Sequence, residues 1–203
     1  MTVERATINW RRLGLAVEFY KGHGFEYVEV PWMAPQQIVT AISPAEAEPW
    51  TVSKFKLIGG QLIGSGEQGF LSLMHDGKLD PGRYVTCTPC YRDVFLEFMK
   101  VELIHIFATA MTEELPQSPL LGLTQRGLLS RAREFFGVAG LRTAILDTDI
   151  GQDVVAGTAD RPIEVGSYGW RSVKLDDDRF YTWAYGTGLA EPRFSQALAR
   201  QAG

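Results

Sequence analysis

Residues 83–107 read RYVTCTPCYRDVFLEFMKVELIHIF. Two runs rich in β-branched, aromatic and aliphatic residues, RYVTCTPCYR and FMKVELIHIF, stand only a few residues apart. Too little chain separates them for a crossover helix, so they predict an antiparallel hairpin. Period-two alternation puts Phe98, Lys100 and Glu102 on one face of the second strand, and Arg92 ends the first strand near the hairpin tip. An arginine, an aromatic ring, a lysine and a carboxylate therefore converge on one sheet surface. A packed apolar face would not accept that set, because unpaired buried charges are costly. Two readings stand: a solvated face, or a surface that meets a charged ligand.

Working upstream, Trp10, Leu13, Val17 and Tyr20 recur at helical spacing, and Gly22 and Gly24 close that helix. FEYVEV (25–30) reads as a strand stopped by Pro31, and EQGFLSLM (67–74) as a short helix after the glycine-rich GGQLIGSG (59–66). Residues 43–56, with Pro44, Pro49 and mixed charges, read as a surface excursion. Downstream, residues 120–136 carry Leu121, Leu128, Leu129, Ala132, Phe135 and Phe136 on one helical face. RTAILDT (142–148), QDVV (152–155), PIEVGSYGWRSVKL (162–175) and FYTWAYG (180–186) read as strands. A last helix begins near Pro192, since proline is favoured in a first turn. The order of helix, strands, helix, strands, helix lacks regular βαβ alternation. It predicts an α+β fold, a mostly antiparallel sheet flanked by helices, in one domain over residues 1–203.

A chain of 203 residues, 45% hydrophobic, can fill a full-sized core. No apolar run approaches the roughly eighteen residues of a membrane helix, and no charged-then-apolar leader is visible, so a cytoplasmic protein is expected. Twenty Lys and Arg stand against 24 Asp and Glu, and the basic residues are scattered. That argues against an extended nucleic-acid footprint. Cys87 and Cys90 form Cys-Thr-Pro-Cys, yet no second pair exists, and His23, His75 and His105 lie far apart in sequence. Strand residues three apart point to opposite faces, which favours two reduced cysteines over a metal or redox pair.

YGTGLAEPRFSQAL (185–198) is a strand, two glycines around Thr187, then a helix with Pro192 and Arg193 at its start. It almost spells a dinucleotide-binding turn, but that motif needs a second strand and an acidic residue about twenty positions further on. The sequence closes at Gly203 before either can follow, and no GKS or GKT for a P-loop occurs. Arg193, just inside a helix, can stack on a base or fork onto phosphate oxygens; the alternative is a surface arginine. Glu164 lies on a long strand with glycines at 166 and 169, and interior strand glycines often mark the close approach of a ligand or another backbone.

Taken together, three stretches resemble the signature motifs of class II aminoacyl-tRNA synthetases. GFEYVEVPWMAP (24–35) is similar to the first motif, a strand ending at a proline (Pro31) at the dimer interface. CYRDVFLEFMKVELI (90–104) resembles the second, and YGTGLAEPRFSQAL the third. LIGSGEQGFLSL (62–73) stands where the family has its amino-acid-recognition loop, and IEVGSYGWR (163–171) where it has the strand flooring the pocket. The resemblance implies ATP held bent on an antiparallel sheet. Arg92, followed by Asp93, would fork onto the α-phosphate. Phe98 and Arg193 would sandwich adenine, with Gly186 and Gly188 in the same nucleotide site. Glu164 and Glu102 would hold Mg²⁺ against the phosphates. Ser65, Glu67 and Gln68 would face the amino group of an amino acid, with Lys100, Glu102, Ser167 and Gly169 in the same pocket. Arg92, Arg193 and Glu102 would then carry catalysis, and the substrate's own carboxylate would be the nucleophile.

Two features depart from the family. Only residues 94–97 separate Asp93 from Phe98, where the family has a longer loop, and no stretch remains for an anticodon-binding domain. Asp93 also stands where the family has a glutamate. The expectation is therefore a homodimeric, ATP- and Mg²⁺-dependent enzyme that activates an amino acid or small carboxylic acid. Its acceptor would not be a full tRNA, which it would bind weakly or not at all. The alternatives are a non-catalytic regulatory or ligand-binding paralogue, or a minimal aminoacyl-tRNA synthetase.

Overall fold

The computed structural model describes residues 8–42, 56–57, 60–91, 97–158 and 161–202; the side chains of 56, 57, 97, 98 and 158 lie outside that description. The expected surface excursion falls almost wholly outside the described residues, as do Arg92 and Asp93.

Helix α1 (Trp10–Gly22) starts where the Asn9 side chain accepts a bond from the Arg12 backbone N–H at 2.9 Å. It buries Leu13, Ala16, Val17 and Tyr20, while Trp10 in its first turn stays exposed, contrary to the periodic reading. Strand β1 (Glu26–Tyr27) is shorter than FEYVEV promised. Past Tyr27 the Val28 N–H still bonds the Val85 carbonyl, but the chain then leaves the sheet so that Val30 packs onto Gly69. A Cβ on Gly69 would sit 2.6 Å from the Val30 Cβ, so only glycine permits that contact. Strand β2 (Met33–Ala34), helix α2 (Gln36–Ile42), strands β3 (Lys56–Leu57) and β4 (Gly60–Leu62) follow, with the small sheet ordered β2-β4-β3. Helix α3 (Gly66–His75) leads to the predicted hairpin, β5 (Gly82–Pro89) and β6 (Glu97–Met111).

Helix α4 (Pro119–Val138) opens with Ser118 Oγ accepting from the Leu120 N–H and with proline in its first turn. Its predicted apolar face, Leu121 through Phe136, is buried throughout. Strands β7 (Ala144–Thr148), β8 (Gly151–Thr158), β9 (Arg161–Lys174) and β10 (Phe180–Pro192) precede helix α5 (Arg193–Ala202). The main sheet has seven strands ordered β1-β5-β6-β10-β9-β8-β7, antiparallel except for β1 with β5.

Alternation along the central strands sends side chains into two separate cores. Val101, Leu103, Tyr168 and Ala184 pack with α1, α4 and α5 on one face. Ile104, Ile106, Trp183 and Tyr185 pack with α2 and α3 on the other. Two faces covered by helices make β10 almost wholly buried. The glycine-rich segment read as the turn before the last helix is instead part of this central strand, which runs on to Pro192. A Cβ on Gly186 would lie 2.5 Å from the Tyr168 ring, and one on Gly188 would lie 2.7 Å from the Tyr20 ring. The phenols answer that close approach: Tyr20 donates to the Gly188 carbonyl at 2.8 Å and Tyr168 to the Thr187 carbonyl at 2.6 Å. Cys87 and Cys90 are thiols, and burial pushes the Cys87 thiol up to about 11. That keeps it protonated and a poor metal ligand.

Candidate active site

The hairpin register pairs Thr86 with Glu102 and Thr88 with Lys100. Glu102 is 1% exposed, so its charge needs partners. Among the described residues, Oε2 accepts from the Gly66 backbone N–H at 2.7 Å, and Oε1 lies 3.3 Å from Lys100 Nζ. Gly66 opens α3, whose N-cap residue Ser65 makes no side-chain capping bond. A carboxylate from β6 therefore meets the positive end of α3 and fixes that helix to the sheet. Only glycine fits there, since a Cβ would come within 2.9 Å of Glu102 Oε2 and 3.1 Å of the Thr86 methyl. Thr86 Oγ1 is buried beside this junction with no hydrogen-bond partner among the described residues.

One residue into α3, buried Glu67 is held by donors from two central strands. Its Oε1 accepts from Arg171 Nε at 3.0 Å and from Trp183 Nε1 at 2.9 Å. Both bonds end on Oε1. The Arg171 guanidinium also lies over the Tyr185 ring, 4.7 Å from its centre. Burial, followed by the nearby Glu67 charge, pushes the Tyr185 phenol up to about 12, so it is a neutral hydroxyl at physiological pH. Glu102 and Lys100 act on the same phenol, which places both charged pairs around one ring. Gly169 lies against Tyr185: a Cβ there would meet its hydroxyl at 2.4 Å. Gln68 takes a bond from the Gly64 N–H at 2.6 Å and donates to the Val39 carbonyl at 3.1 Å, so it braces the loop before α3.

Ser167 lies beside Thr187, whose Oγ1 accepts from the Ser167 N–H at 3.3 Å. Glu164, more exposed, is ion-paired with Arg193 at 3.0 Å. The structure thus brings Ser65, Glu67, Gln68, Lys100, Glu102 and Gly169 to one junction of α3 with the sheet, and joins Glu164 to Arg193. Gly186 and Gly188 face core tyrosines. Among the described residues no three His, Cys, Asp or Glu side chains group as a metal cage.

Sequence reasoning named Trp183, with Tyr168 and Trp170, only as a residue whose placement sets pocket size, and it missed Arg171 and Tyr185. Alternation along β9 puts Ser167, Gly169 and Arg171 on one face, so Arg171 was within reach of the same pattern. Glu191 was also missed: fully buried, it pairs with Arg12 at 2.9 Å and accepts from the Ser195 N–H. That pair holds the start of α5, and hence Arg193, against α1.

This helix-backed, mostly antiparallel sheet is the catalytic-domain fold of class II aminoacyl-tRNA synthetases, as solved structures show. The cytoplasmic serine-tRNA ligase of Naegleria fowleri, solved with AMP, matches with a TM-score of 0.70 at 14% identity, over 94% of this chain and 48% of that one. Seryl-tRNA synthetase from Pyrococcus horikoshii, solved with ATP, matches with a TM-score of 0.69 at 16% identity, over 93% and 49%. The pyrrolysyl-tRNA synthetase PylSc of Desulfitobacterium hafniense matches with a TM-score of 0.63 at 19% identity, over 93% and 68%. The chain spans about half the length of the two seryl enzymes. No family sequence model and no curated protein sequence matches it.

Proposed function

We propose that this protein uses ATP to activate an amino acid or related small carboxylic acid, forming an acyl-adenylate and pyrophosphate. The observation that carries this reading is Glu67. Two donors hold its Oε1, and no described residue bonds its Oε2. A positioned carboxylate oxygen at the start of a helix suits an ammonium group. Arg171 and Trp183 orient the carboxylate before substrate arrives.

In this reading Arg193 covers adenine and Phe98 its other face, while Arg92 meets charge developing at the α-phosphate. Mg²⁺ commonly uses one or two carboxylates together with substrate phosphates. Glu164 fits that role, being exposed and already partnered by a cation that phosphate charge would compete for. Glu102 fits it less well, because both its oxygens are engaged by Gly66 and Lys100. We assign it to positioning α3. The ion, when bound, would neutralise phosphate charge. The acceptor is a small molecule or protein group rather than a full tRNA, and the protein is a cytoplasmic homodimer of one catalytic domain.

Hydroxylamine trapping tests the proposal. Wild-type protein with ATP, Mg²⁺ and each of the common amino acids should yield one or a few amino-acid hydroxamates, with AMP formed in step. ATP binding without any hydroxamate would replace this reading by that of a regulatory paralogue.

A further inference from the structure

The sheet edge remote from the Glu67–Arg171 pair carries an open cleft of about 970 Å³ where β7 begins, β8 ends, β9 starts and α5 closes. Its wall is apolar, formed by Ala144, Leu146, Val155 and Pro162. Three arginines from three different segments line it: Arg142 before β7, Arg161 opening β9, and Arg200 in α5. Among the described residues no acidic one lines it, and no carboxylate pairs with any of the three. In a chain with net charge −4, elsewhere rich in arginine–carboxylate pairs, this is a local excess of positive charge. Arg200 sits in the last turn of α5, where it also answers the helix dipole. Arg161 at the start of a strand has no such duty.

We propose that this cleft binds a small organic anion whose carboxylate or phosphate head is carried on an apolar body. The arginines supply forked donors for the head. The aliphatic wall takes the body, and the cleft's volume lies within the range of small-molecule sites. The site is distinct from that of ATP and the activated acid. The Gly157 backbone, at φ +101°, approaches the Arg161 carbonyl so closely that a Cβ would lie 3.0 Å from it.

Titration calorimetry on the whole protein tests this with decanoate, decyl phosphate and neutral decanol. At least one anion should bind, and at least about tenfold more tightly than decanol, the discrimination expected of a charge-assisted contact. Saturating ATP should leave that binding unchanged. Arg161→Ala and Arg200→Ala should each weaken it roughly tenfold with unaltered ATP affinity, and Arg161→Ala should leave Tm unaltered as well. The triple Arg142→Ala, Arg161→Ala, Arg200→Ala variant should abolish it, and the matching triple lysine variant should restore part. Equal affinity for decanol, displacement by ATP, undiminished binding to the triple alanine variant, or no binding of either anion would each overturn the proposal.

Discussion

Glu67 shows how a single carboxylate can be both structural and poised. Arg171 and Trp183 hold one oxygen, and no described residue bonds the other, which the proposed function gives to the substrate's ammonium group. Replacing it by glutamine keeps the shape and removes the charge. Glu67→Gln is expected to raise KM for the acid substrate by about tenfold or more, the difference between charged and neutral hydrogen bonds. ATP affinity should stay unchanged, and steady-state kinetics with calorimetry separates the two; a parallel loss of both would mean that the residue only supports the fold. Arg193 makes the converse case. Arg193→Ala should weaken ATP binding by about 1–2 kcal/mol, the value of a partly desolvated cation–π contact. Unchanged ATP affinity in the folded variant would remove Arg193 from the adenine site and leave it as the partner of Glu164. At this scale the sequence was partly legible. Lys100 and Glu102 could be selected because charge on a strand is conspicuous, and Glu67 because its segment resembles the family's amino-acid-recognition loop. Arg171 and Trp183 could not be joined to Glu67 in the same way, because their bonds span 104 and 116 residues of sequence.

Local patterns announced most elements, and packing decided the exceptions. The helix at residues 119–138 and the 82–111 hairpin follow from periodicity and a short connection. The segment around Gly186–Gly188 read as a turn because glycine is ambiguous: it permits a turn and equally permits a ring to press on a strand. The rings of Tyr168 and Tyr20 come from strands and helices far away in sequence, so no local signal marks them. Gly186→Ala is accordingly expected to cost about 1–3 kcal/mol of stability by overpacking, read as a lower urea midpoint. If ATP affinity fell while the midpoint held, the glycine would belong to the nucleotide site instead. β5 and β10 also set an alkaline response. Burial raises the Cys87 thiol from 9.0 to about 11 and the Tyr185 phenol from 10.0 to about 12. The native state therefore holds these protons more tightly than the unfolded chain. The stability they contribute is fully present below about pH 9 and is lost as pH rises from there toward 12. Urea midpoints across pH 8–11 should fall, and less steeply in Cys87→Ala.

For the molecule as a whole, the described surface near the first motif leaves Trp32, Met33 and Tyr27 exposed at 58%, 38% and 38%. Apolar exposure of that kind fits a covered face, and the proposed occupant is a second copy. Light scattering at micromolar concentration should give twice 22.6 kDa, and Trp32→Glu should return the mass to that of one chain. A wild-type monomer would rule out the dimer. Total tRNA should bind no better than roughly micromolar at about 150 mM salt, since a balanced charge of 20 basic and 24 acidic residues offers few phosphate contacts. No helix of the described residues is long and apolar enough to cross a membrane. The central claim is chemical, and one measurement reaches it most directly: exchange of labelled pyrophosphate into ATP, run with each amino acid in turn. The account predicts exchange that depends on a particular amino acid, requires Mg²⁺, and falls on the order of a hundredfold in Arg92→Ala. Protein that binds ATP yet exchanges no label with any amino or small carboxylic acid would contradict it.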